Sequence, residues 1–207
     1  MNQQDKYKDN DFPTNLEASQ ELVRDIASYL KKAGLYVRPE DDTIPFINSR
    51  GEMLRLADIQ VINSKKLQMF YVEAKDHCRC NYYEVTGQPQ RYISNKMKLM
   101  NEGKDVFIIF RENLKLIRER AEIRNVSEES IIGKLINDGF ARKKSDGTLY
   151  FIPYGHRLTY LLKEENMRKD LECKIKSKLD RYYGEIQYLW RISSMLPIDV
   201  LIKQEIL

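Results

Sequence analysis

The sequence predicts an α/β fold in which a helix, a three-strand antiparallel meander, a second helix and a further strand are followed by a mainly helical extension. Three observations carry this. Apolar residues step by three and four between residues 16 and 30, as on one face of a helix. Short β-rich stretches separated by turn residues fill 35–75. The uninterrupted apolar run Val106-Phe107-Ile108-Ile109-Phe110 follows a glycine-terminated helical segment, as a strand covered on both faces does.

Residues 1–13 are polar, end in Phe12-Pro13, and read as a flexible N-terminal arm. Thr14 and Asn15 suit a helix start, because their side-chain oxygens accept from the free N–H groups of a first turn. Leu16, Val23, Ile26, Ala27 and Leu30 give the apolar stripe, with Ser19 interrupting it, and Gly34 stands where a left-handed cap belongs. Glu17 and Glu21 lie one turn apart on one side of that helix. The stretches LYVRPEDD, TIPFINSRGE, MLRLADIQVI and LQMFYVEAKD then read as a meander, with Asn63-Ser64-Lys65-Lys66 as the hairpin link between the last two strands.

A second helix is expected over Val85–Asn101, closed by Gly103 before the apolar strand. After the charged segment Arg111–Asn125 comes a helix opened by Ser127, with Glu128 and Glu129 in its first turn and Gly139 as its stop. The run FARKKSDGTLYFIPYGHRLTYLL resembles the hairpin of a winged-helix domain. It also has a local flavour of the class II prolyl- and threonyl-tRNA synthetases, whose catalytic domain has no room in the remainder of the chain. Met167, Leu171, Ile175, Leu179, Tyr182, Ile186 and Leu189 step by three and four, predicting a long amphipathic helix. Such a stripe packs on its own domain or serves as a homodimer seam. These readings divide the chain into an arm (1–13), a core (14–125) and a helical or winged C-terminal extension (126–207).

Composition narrows the function. The 207 residues suit one domain or one domain with an appendage. No apolar run approaches the ~20 residues of a membrane span. The N-terminal MNQQDKYKDND lacks the apolar core of a secretory signal, so a cytoplasmic location is expected. A net charge of +4 is compatible with a polyanionic partner without requiring one. Two histidines exclude a three-histidine zinc site. His77, Cys78 and Cys80 form a compact soft-ligand cluster that Cys173 would complete, although a loop with buried thiols is the plainer reading.

Acid-x-Lys triplets occur at Glu73-Ala74-Lys75, Glu102-Gly103-Lys104 and Glu172-Cys173-Lys174. Only the first closes a strongly apolar strand, where burying charge is costly. Alternation along that strand puts Leu67, Met69, Tyr71, Glu73 and Lys75 on one face, so the carboxylate and ammonium are neighbours. The preceding strand holds one acid, Asp58, which a hairpin would bring beside Glu73. Two acids at the open end of a hairpin make a hard-cation site; the bland alternative is a cross-strand salt bridge.

Asp58, fourteen intervening residues and Glu73-Ala74-Lys75 resemble the PD-(D/E)xK nuclease superfamily, with its restriction-endonuclease-like core, over roughly residues 14–110. The family's proline before the aspartate is replaced by Ala57. Gln88-Pro89-Gln90-Arg91-Tyr92 is similar to the QhxxY motif of the RecB-like and lambda-exonuclease-like branch, and would place Gln88 and Tyr92 on one helical face. The resemblance implies a Mg2+-dependent endonuclease acting on DNA, with Mn2+ able to substitute. Asp58, Glu73 and the Ala74 carbonyl would hold the ion, and Lys75 would orient or help deprotonate the attacking water. Gln88 would assist, and Glu21, or Glu17 one turn earlier, would reach the metals. Arg79, Arg91, Lys96 and Lys98, then Arg142, Lys143 and Lys144 on the hairpin, are candidates for gripping phosphates. The alternatives are an inactive nuclease-like or winged-helix DNA-binding module, and an RNA-directed nuclease.

Overall fold

A computed structural model describes residues 12–39, 46–54, 57–75, 84–169 and 187–204. Helix α1 (Phe12–Lys32) begins two residues before Thr14, so Phe12 and Pro13 belong to the helix rather than to an arm. A proline is tolerated in a first turn, where its missing N–H has no partner to lose. Gly34, at φ +81°, ends α1 in the left-handed conformation the sequence suggested.

The strands β1 (Tyr36–Pro39), β2 (Phe46–Ile47), β3 (Met53–Leu54), β4 (Ile59–Asn63) and β5 (Gln68–Lys75) follow. The meander is β1–β4–β5, all antiparallel, with Val37 opposite Val61 and Ile59 opposite Val72. β2 and β3 pair only with each other, as a hairpin inserted into the first connection. The link expected at Asn63–Lys66 forms one residue later, over 64–67, because Leu67 turns out at φ +53° and is exposed instead of opening β5; Lys66 N donates to Asn63 Oδ1 at 3.2 Å.

The next segment departs from expectation. Val85–Pro89 is a strand, β6, and the helix α2 (Gln90–Asn101) starts only after it. Pro89 explains the boundary, because its ring disfavours helical backbone at the preceding Gln88. At the far end Lys104 N reaches back to Leu99 O at 3.1 Å around Gly103, closing α2. β7 (Asp105–Phe110) then runs parallel to β5, from Phe70 opposite Asp105 to Lys75 opposite Phe110.

Helix α3 (Leu114–Arg124) is capped by Asn113, and α4 (Glu128–Asn137) by Ser127, whose Oγ accepts from Ser130 N at 3.1 Å. The wing-like hairpin is β8 (Ala141–Lys143) and β9 (Leu149–Phe151). After it come β10 (Tyr154–Arg157), α5 (Leu158–Leu161), β11 (Gln187–Arg191), β12 (Leu196–Pro197) and α6 (Ile198–Lys203). The predicted long helix is contradicted at both ends. Met167 forms a bridge with Trp190, and Leu189 lies in β11, which pairs with β6. Its middle, 170–186, lies outside the described residues, and so does any seam built on it.

The main sheet has the order β1–β4–β5–β7–β10–β12, so two strands from beyond residue 126 continue the sheet of the first half. Tyr154 on β10 and Arg120 on α3 seal this junction. The Tyr154 hydroxyl donates to Glu112 Oε1 at 2.6 Å, and Arg120 Nη1 lies 3.1 Å from both Glu112 oxygens, all of them buried. One face of the sheet packs Leu22, Ile26 and Leu30 of α1 and Ile198 and Leu201 of α6. The other packs α2, α3, α4 and α5, with Trp190. A helix, an antiparallel meander, a second helix and a strand parallel to β5 follow one another in the predicted order.

Candidate functional site

The pleat of β5 sorts its side chains. Phe70, Val72 and Ala74 enter the α1 layer, whereas Tyr71 enters the α2 layer, with Glu73 and Lys75 following on its side. Asp58 stands just before β4, and the register Ile59↔Val72 carries it to the level of Glu73. Its Oδ2 accepts from Ala74 N at 2.7 Å, which fixes the carboxylate against the neighbouring strand. The structure therefore brings together Asp58, Glu73, Ala74 and Lys75.

Glu73 is 5% exposed and meets two cations. Lys75 Nζ lies 2.5 Å from its Oε1, and Lys96 Nζ lies 2.5 Å from its Oε2. Lys96 descends from α2 on the buried stripe it shares with Ile93 and Leu99. Lys75 also sits 5.5 Å over the ring of Tyr92, from the first turn of the same helix. Sequence reasoning placed Lys96 among phosphate-gripping surface residues. The signal for its true place was a lysine three residues after Ile93 and three before Leu99, in line with the apolar stripe.

Gln60 extends this polar strip along β4. It is buried, and its Nε2 donates to Met69 Sδ at 3.1 Å and to the Tyr71 hydroxyl at 3.4 Å.

The charges shift one another. Burial, then the adjacent Glu73 carboxylate, pushes Asp58 up to about 6 from its ordinary 3.8, against the pull of Lys75 and the Ala74 N–H. Burial also works against ionised Glu73, but Lys75 and Lys96 outweigh it and hold that carboxyl below its usual range. Burial alone would depress the Lys75 ammonium; Glu73 and Asp58 reverse this and raise it.

The other expected residues lie elsewhere. Glu21 is exposed on α1 and lies 3.8 Å from Arg111, which binds Asp25 more closely at 2.7 Å. Arg111 follows β7, and its N–H donates to Lys75 O at 3.2 Å, so this cluster touches the site through backbone. The side chain of Glu17 lies outside the described part. Gln88 is buried in β6 opposite Tyr188, so the helical pairing with Tyr92 does not form, because the helix begins after Pro89. Arg79, His77, Cys78, Cys80 and Cys173 lie outside the described residues. Arg91, Lys98, Arg142, Lys143 and Lys144 are exposed, and Arg142 lies 3.3 Å from Asp199.

The donors suit a hard divalent cation. Beyond the effect of burial, the Glu73 carboxylate adds to the rise at Asp58, and an ion between the two would remove that repulsion. Among the described residues no group of three histidine, cysteine or acidic side chains gathers as a ligand set. Two carboxylates and a carbonyl therefore leave several positions to water, which Mg2+ retains readily.

No family model matches the chain, and no curated protein matches it. Among solved structures it is similar to Hjc of Archaeoglobus fulgidus, a Holliday junction resolvase from an archaeal hyperthermophile. The two share 9% identity at a TM-score of 0.44, over 88% of this chain and 98% of that one. No described helix is long and apolar enough to cross a membrane.

Proposed function

We propose that this chain is a metal-dependent nuclease that hydrolyses phosphodiester bonds in DNA as an endonuclease, using Asp58, Glu73 and Lys75. The observation that carries this reading is the convergence of two carboxylates and a lysine at one end of β4 and β5, with Asp58 seated on Ala74 N at 2.7 Å. A plain cross-strand salt bridge needs one acid and one base. Here a second carboxylate stands beside the first, with Asp58 raised by burial and by that neighbour, which supports a shared cation site.

Asp58, Glu73 and the Ala74 carbonyl would hold Mg2+, or Mn2+ in its place. Bound there, the ion would lower the pKa of a coordinated water and stabilise charge on phosphate oxygens. The protein's own groups do the rest. Ala74 N–H orients Asp58, so that one carboxylate oxygen is anchored and the other is left for an incoming group. Lys75, one-quarter exposed while Glu73 is buried, is the ammonium open to a phosphodiester from outside. It would orient the attacking water and hold anionic oxygens as a donor. Arg111, bonded to the Lys75 carbonyl, keeps the end of β5 in register with β7.

Digestion of linear, circular, single-stranded and branched DNA with and without Mg2+, beside matched RNA, tests the proposal. Ion-dependent cleavage of DNA lost in Asp58→Ala, Glu73→Ala and Lys75→Ala is expected. Wild-type cleavage in all three variants would remove the site assignment. Preference for RNA would redirect the substrate, and DNA binding without cleavage would leave a binding module.

A further inference from the structure

We propose that Lys96 is a built-in counter-cation that must yield for a divalent ion to enter; the inference rests on the nuclease reading above. Lys96 is 5% exposed, and its ammonium lies on the Glu73 oxygen that Lys75 leaves free. Asp58 and Glu73 carry two negative charges when ionised, and Lys75 and Lys96 carry two positive ones, so without an ion the four groups are neutral as a set. This balance explains why two carboxylates can be buried side by side, since a buried charge without a partner is strongly destabilising.

The same balance opposes a metal ion. A divalent cation entering a neutral set leaves two positive charges in excess, and it must compete with Lys96 for Glu73 Oε2. Without Lys96 the set starts at one negative charge, and the ion leaves it at one positive. Lys96 thus sets ion affinity by acting on Glu73. It is a positioning residue, and the direction of its effect separates it from a phosphate-gripping lysine. A phosphate contact would leave ion affinity unchanged and weaken DNA binding when removed, whereas a counter-cation weakens ion binding while it is present.

Calorimetric titration of the full chain with Mn2+, in the absence of DNA, is the test. Lys96→Met is expected to bind the ion at least about tenfold more tightly than wild type, because it removes a unit positive charge a few ångströms from where the ion would sit. Lys96→Arg, which keeps the charge, should stay near wild type. Lys96→Gln, which keeps a donor for Glu73 without the charge, should follow Lys96→Met and replaces it if the methionine variant does not fold.

Equal or weaker ion binding in both neutral variants overturns the proposal while leaving the nuclease reading standing, provided wild type binds Mn2+. If wild type takes no ion but Lys96→Met does, the counter-cation is supported and the nuclease reading fails for the natural chain. If neither binds, both fail.

Discussion

The two faces of β5 are made by alternate residues of one strand and have opposite chemistry. Phe70, Val72 and Ala74 face α1 in a wholly apolar layer, where Phe70 meets Phe107 edge-on at 5.3 Å. Tyr71, Glu73 and Lys75 alternate with them on the α2 side, where Asp58, Gln60 and Lys96 join them in a polar strip. The pleat lets one strand serve both ends. The apolar face supplies burial, and its rigidity holds the charged face in a geometry that charge repulsion alone would undo.

This division has measurable consequences. The largest effect belongs to the apolar face: Phe70→Ala should cost about 3–5 kcal/mol by removing a buried aromatic and leaving a cavity. Cleavage per folded molecule should change by no more than about twofold. Denaturant unfolding beside rates corrected for the folded fraction measures both, and a selective loss of rate would show that the faces are not separable. Lys75→Gln should behave in the opposite way. Cleavage should fall by roughly 10²–10³-fold, the usual cost of removing one donor from a charge-stabilising site. The unfolding midpoint should fall less than for Phe70→Ala, because Lys96 still pairs Glu73 while the two carboxylates lose one of their two cations. A large loss of stability with little loss of rate would make the strip structural.

How much of this was legible depends on which interactions were local. The alternation of β5, the β4–β5 link at Asn63–Lys66 and the stop at Gly34 are short-range features, and the sequence shows each of them. Hence Asp58, Glu73 and Lys75 could be brought together from pattern alone. The β6–β11 ribbon could not, because it pairs Gly87 with Leu189 across about half the chain and has no local signature. Leu189 consequently reads as the end of a helical stripe, and Gln88 as a helical residue despite the proline after it. Lys96 was hidden differently. A lysine on a helix normally marks the solvated face, and only its coincidence with the Ile93–Leu99 stripe shows that it points inward.

A smaller effect sharpens the polar face itself. Asp58 titrates at about 6 in the folded chain and at its ordinary 3.8 when unfolded. As pH rises through this window the unfolded chain gives up the proton first. It therefore binds fewer protons than the folded chain, and stability falls with rising pH. Relative to Asp58→Asn, wild type should lose up to about 3 kcal/mol between pH 4 and 6.5, then run level. Glu73 works in the other direction, since its lowered value gives stability that is present above the usual glutamate range and lost below it. The comparison with Asp58→Asn separates the two. Urea titrations across that range measure it, and parallel profiles for the two proteins would mean that neither burial nor the Glu73 charge raises Asp58 in the folded chain.

The smallest expected effect is the one most able to break the comparison. Glu21 lies on α1, is largely exposed, and is the more distant of the two acids that Arg111 holds. Exposed ion pairs contribute about 0–1 kcal/mol, so Glu21→Ala should shift stability by no more than about 0.5 kcal/mol. If the chemistry belongs to the α2 face alone, cleavage should be reduced by less than about threefold, and Asp25→Ala, which removes the closer partner, should be the more damaging of the two. Rates measured at several Mg2+ concentrations decide the matter. A loss for Glu21→Ala that approaches that of Lys75→Gln and is recovered at high Mg2+ would mean that α1 lends a carboxylate to the ion. The apolar face would then end in a functional residue, and the pleat would no longer divide stability from chemistry.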